Sequence, residues 1–134
     1  MANLTNTMEN DLLDMLTGVT TTISSTMALA IFTASPTDTG SVTNELSGSG
    51  YERKLLSGLF SSATGTDGTS SNTSAITFAT ATGDWSEATH VGIMETDVET
   101  TADMIVWVEL VTPNTTLNGQ AFSIAIGKLT VTAA

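Results

Sequence analysis

The chain has 134 residues, with 14 Asp and Glu against three Lys and Arg, for a formal net charge of −11. Such an acidic surface is repelled by phosphate backbones and anionic bilayers, so no nucleic-acid and no membrane partner is expected. With no cysteine, disulfides and thiolate metal sites are excluded, and the fold must rest on packing.

Residues 5–17 carry the one clear helical period. Met8, Leu12, Met15 and Leu16 recur at spacings of four, three and one, which places them on one stripe. Thr5 or Asn6 suits the N-cap, Glu9 and Asp11 suit the positive end of the helix dipole, and Gly18 is a natural stop. A helix of three turns is not stable alone, so it must dock on this subunit or on a neighbour. Residues 1–18 are therefore read as a helical arm and 19–134 as a single β domain.

After Gly18 the pattern changes to β-branched residues, and the apolar run at 27–32 predicts the first core strand. It is far too short to span a bilayer. Residues 36–50 read as a long loop, 51–60 as a loosely alternating strand, and 61–74 as an exposed Ser/Thr/Gly loop. Ile76 and Phe78 mark a short strand. The turn at 81–85 plants Trp85 beside it, and 89–94 forms another strand, with Gly92 where a neighbour comes close. An acidic connection at 95–103 precedes the strongest strand, 104–111, which ends at a turn predicted for Pro113 and Asn114. Phe122, Ile124 and Ile126 alternate in a further strand, and Gly127-Lys128 bends the chain into a last one at 129–131.

About seven short strands with no helical crossovers argue for a mainly β fold, an antiparallel β-barrel or sandwich with an N-terminal amphipathic helix. The first residues lack the basic and apolar regions of a signal peptide, so synthesis in a cytoplasm is expected.

Catalytic equipment is not evident. His90 is the sole histidine, and without a nucleophile motif it reads as a strand residue packed beside Trp85 or Tyr51. Glu95, Asp97, Glu99 and Asp103 offer hard oxygen ligands for weak Ca²⁺ binding, but their spacing is not that of a calcium loop and a solvated acidic face is the expectation. Trp85 and Trp107 suggest a sugar-stacking pair, against which stands Trp85 as a core plug or interface anchor. Arg53 and Lys54 suit partners among the acidic residues of this chain or an adjacent copy. No enzyme activity, cofactor or metal is therefore expected.

The run Leu29-Ala30-Ile31-Phe32-Thr33-Ala34-Ser35-Pro36-Thr37-Asp38, then Glu45 and Tyr51-Glu52-Arg53, continues through Ile76-Thr77-Phe78, Thr82-Gly83-Asp84-Trp85 and Thr89-His90-Val91-Gly92-Ile93. In order and spacing it resembles small virion-associated proteins of tailed bacteriophages, described as tail-fibre-like or structural. The resemblance implies a β-rich fold and a place in the virion, with assembly in the host cytoplasm, and it brings no catalytic residue with it. The expected function is capsid decoration: a cement protein that stabilises the head through subunit contacts, homotrimeric by analogy and bound to the major capsid protein. The alternative is a tail- or fibre-associated structural protein contacting a tail protein, and after it a carbohydrate-binding module. Interface candidates are Met8, Leu12, Leu16, Tyr51, Arg53 and Trp85.

Overall fold

In a computed structural model, residues 3–19, 26–63, 68–99 and 103–132 are described. They form β1 (Asn3–Leu4), α1 (Asn6–Thr17), β2 (Ala28–Phe32), β3 (Lys54–Leu55), β4 (Thr69–Ser71), β5 (Ile76–Thr77), β6 (Ala88–Met94), β7 (Met104–Asn114), β8 (Ser123–Ile124) and β9 (Thr130–Thr132). The fold is mainly β, with one N-terminal helix. Every strand pairing is antiparallel.

A five-stranded sheet in the order β1-β7-β6-β2-β3 faces the small sheets β4-β9 and β5-β8 in a sandwich-like arrangement. The described strands do not close into a barrel. Strand β2 sits inside the large sheet and buries all five of its residues, as expected of a strand covered on both faces. Leu29 and Ile31 point into the main core with Val91, Ile76, Phe78 and Trp85. Ala30 and Phe32 point the other way, into a smaller cluster with Met94 and Met104. Gly92 pairs with Ala30 on that second face, and a Cβ there would sit 3.0 Å from Met104 Cε and 3.2 Å from Phe32 Cε2. The close approach inferred from the sequence is thus two side chains filling the glycine's space.

The helix follows its sequence signals. Thr5 is the N-cap and accepts from Met8 N–H, and Gly18 closes the helix in the left-handed conformation at φ 82°. Thr5 is also buried, and its Oγ1 donates to Met104 C=O at 2.6 Å. With β1 pairing along β7, the base of the arm is woven into the sheet.

Nine strands are present among the described residues; the two beyond the expected seven are β1 and β4. Strand β4 is Thr-Ser-Ser, a segment with no apolar residue and so no periodicity to read, and it lies inside the stretch expected to be loop. Residues 64–67 of that stretch, and 20–25 of the β-branched stretch after Gly18, lie outside the described residues. Three further readings are corrected. Pro113 and Asn114 do not turn the chain but complete β7, Asn114 standing opposite Ala88. Residues 51–60 yield only the two-residue β3. Ile126 is 64% exposed, because a turn with Lys128 N–H donating to Ala125 C=O ends the alternation after Ile124.

Candidate functional site

Glu45, Tyr51 and Arg53 form a polar cluster in the interior. Strand β2 leads into the loop at 33–50, which returns beside it: Thr33 N–H donates to Asn44 C=O and Leu46 N–H to Ile31 C=O, both at 2.9 Å. This return brings Glu45 to Arg53, just before β3. Arg53 donates from Nε to Glu45 Oε1 and from Nη2 to Oε2, both at 2.7 Å, a two-pronged match of guanidinium to carboxylate. Its Nη1 donates to Thr96 C=O at 3.0 Å, so one side chain ties the β2 loop, the approach to β3 and the connection after β6. Burial by itself would lower the Arg53 pKa, but the bonds to Glu45 outweigh it and hold the guanidinium above its ordinary value. The cation expected to meet an acidic residue therefore meets one on its own chain.

Tyr51 completes the cluster. Its hydroxyl accepts from Ile31 N–H at 3.0 Å and donates to Glu45 Oε1 at 3.2 Å. Its ring stacks on Phe78 and meets Trp85 edge to face. Burial first, and the Glu45 carboxylate second, push the phenol far above its ordinary pKa, so it stays protonated as donor.

The interface candidates consequently divide. Tyr51, Arg53 and Trp85 are each about 95% buried within the subunit and do not present themselves to a partner, because the loop at 33–50 and the small sheets cover them. Trp85 is the core plug of the bland expectation, its Nε1 donating to Ser49 C=O at 3.0 Å. Trp107 belongs with the second, smaller cluster, so the two indoles are apart and form no shared platform. His90 lies against Trp107, ring centroids 5.6 Å apart, rather than beside Trp85 or Tyr51. The register explains this: His90 pairs with Phe32 and therefore faces away from the main core.

Met8, Leu12 and Leu16 behave differently. Met8 is half-buried against the start of β7. Beyond it the helix leaves the sheet: Leu12, Leu13, Met15 and Leu16 are 38, 59, 47 and 74% exposed, and no residue of α1 is fully buried. A second apolar surface went unforeseen. The C-terminal half of β7 forms, with β8 and β9, a groove of about 630 Å³ lined by Val108, Leu110, Thr112, Phe122, Ile124 and Leu129 among others. Its only sequence signal was the continued alternation past Val108, which the expected turn at Pro113 obscured.

An open cleft of about 740 Å³ is lined by Glu52, Lys54, Asp97 and Glu99. Burial, then the nearby Glu45, raise the Glu99 carboxyl above its usual range. Glu95 N–H donates to Asp103 C=O at 2.9 Å, pinning the ends of the acidic connection, whose residues 100–102 lie outside the described ones. Among the described residues, no three His, Asp or Glu converge as metal ligands, and no helix is long and apolar enough to cross a membrane.

Residues 3–132 match a family model described as podophage GP4 fiber I protein gp80. The chain belongs to this family of phage fibre proteins. The match spans the β domain and the arm together. Membership makes the chain a bacteriophage virion structural protein, in line with the resemblance seen in the sequence. The family is one of fibre proteins, and this favours the tail- or fibre-associated reading over capsid decoration. No curated protein matches the chain significantly.

Proposed function

We propose that the chain is a structural subunit of a phage tail fibre or of the tail structure that carries it, acting through protein contacts and not through catalysis. The observation that carries this reading is the arm. Its N-cap is locked into the sheet through Thr5, yet its apolar stripe at Leu12, Met15 and Leu16 is left without cover. A monomer gains nothing from a helix held this way, whereas an assembly gains a pre-positioned contact. The polar groups of the interior support the same reading, because Glu45, Tyr51 and Arg53 spend their bonding capacity on one another and on backbone.

Immunogold labelling of purified particles, with mass-spectrometric copy counting, tests the proposal. Label confined to the tail in few copies is the expected result. Label spread over the head in many copies would overturn it and restore the decoration reading.

A further inference from the structure

The molecule carries two uncovered apolar surfaces of matching dimensions, one convex and one concave. The helix of 12 residues is about 18 Å long at 1.5 Å per residue. The stretch of β7 that walls the groove, 108–114, runs about 20 Å at roughly 3.3 Å per residue. The helix cannot serve its own groove without leaving its base, because Thr5 holds it to Met104 and Ile105 at the opposite end of β7.

Charge indicates what covers each surface. The helix carries Glu9, Asp11 and Asp14 and no cation, and its last turn has no basic residue to offset the negative end of its dipole. A partner surface must therefore be neutral or basic. In a chain of net charge −11 such surface is scarce. Arg53 is taken up by Glu45, and Lys54 lies in the cleft among Glu52, Asp97 and Glu99. Lys128 remains: it is exposed, and it lines the β7–β8–β9 groove, where Glu109 is the one acidic side chain among the described residues.

We infer that α1 of one copy lies in the β7–β8–β9 groove of the next, Leu12, Met15 and Leu16 entering against Leu110, Thr112 and Ile124 while Lys128 faces the acidic side of the helix. The contact is helix-in-groove and head-to-tail, with each subunit giving an arm and receiving one. Such contacts close into a ring or run on as a filament. The inference rests on the fibre reading for its biological setting, but its test uses purified protein and stands apart from the particle labelling.

The absence of native cysteine makes the test direct. Two single variants, Leu16→Cys and Thr112→Cys, both at exposed positions, are purified separately, checked for fold by circular dichroism, mixed, and oxidised. The expected product is a disulfide-linked heterodimer of the two variants. Leu16→Cys homodimers alone would mean that arms pack on arms, and no cross-linked product would mean that the groove receives no arm from a second copy; either result overturns the inference. Lys128→Glu on the groove partner lowers the cross-linking yield at low salt roughly two- to fivefold, and an unchanged yield would remove the electrostatic part of the argument. Tail labelling in the particle without any cross-link would sink this contact and leave the fibre reading standing.

Discussion

Arg53 grips both carboxylate oxygens of Glu45 at 2.7 Å while its own side chain is fully shielded from solvent. A charge so placed cannot be left alone. Glu45→Gln keeps the shape but strands the guanidinium, and it is expected to cost about 3–5 kcal/mol, a large part of the stability of a domain this size. Urea unfolding of the single variant, and of Glu45→Leu with Arg53→Met together, checks this. The double variant should recover most of the loss, since an apolar pair leaves no buried charge. A single variant within 1 kcal/mol of wild type would contradict the latch, as roughly expected only of exposed pairs.

Tyr51 is the sole tyrosine, so absorbance at 295 nm follows its ionisation without interference from another phenol. Burial and Glu45 raise its folded pKa above the ordinary 10.0. In the unfolded chain the phenol loses its proton near pH 10, while in the folded chain it keeps it; the folded state then binds the extra proton, and stability falls as pH rises. The slope above pH 10 approaches about 1.4 kcal/mol per pH unit from this group. Tyr51→Phe should abolish that component, at a neutral-pH cost of about 1–3 kcal/mol for stranding Ile31 N–H, since Glu45 Oε1 keeps its bond from Arg53 Nε. Equal alkaline slopes in wild type and variant would refute it.

Asn72 closes one end of the small β4–β9 sheet, where β4 stops and β9 begins. It is 2% exposed, its Nδ2 donates to Ser74 C=O and Ala125 C=O, and its Oδ1 accepts from Leu129 N–H. Asn72→Ala takes this partner from Leu129 N–H and Ser74 C=O, while Ala125 C=O keeps its bond from Lys128 N–H, and it is expected to destabilise by about 1–3 kcal/mol. In hydrogen exchange the Leu129 amide should lose protection first. Unaltered protection there would show that the side chain is dispensable.

Thr5 serves the helix and the sheet with one hydroxyl. Thr5→Ala removes the cap to Met8 N–H and the bond to Met104 C=O, with an expected cost of about 1–2 kcal/mol and a loss of helical circular dichroism. Thr5→Ser, which keeps the hydroxyl, should restore most of both signals. Equal loss in the two variants would point to the methyl group, which packs at Gly40, rather than to the cap.

What was legible in the sequence was whatever has a period or a stop signal. The helix ends could be read because Thr5 and Gly18 each have a one-residue mechanism, and β2, β6 and β7 because apolar side chains repeat along them. Strand β4 could not be read, since Thr69, Ser70 and Ser71 are held by pairing with β9 rather than by burial of apolar groups. The partner of Arg53 was equally hidden: Glu45 is one of 14 acids, and only the return of the loop at 33–50 singles it out. Burial also reversed the meaning of Tyr51, Arg53 and Trp85. Residue type suggested anchors for a partner, whereas the chain's own loops had already covered them.

The way the arm is rooted has a mechanical consequence. At one end it joins the sheet through β1 and Thr5, both fastened to β7; at the other the chain runs on to β2. Strands β7 and β2 flank β6 on its two sides. A pull on the helix root therefore falls on the edge strand β1 and on the Thr5 hydroxyl beside it, both held to β7, so the first bonds to bear load are those between β1 and β7.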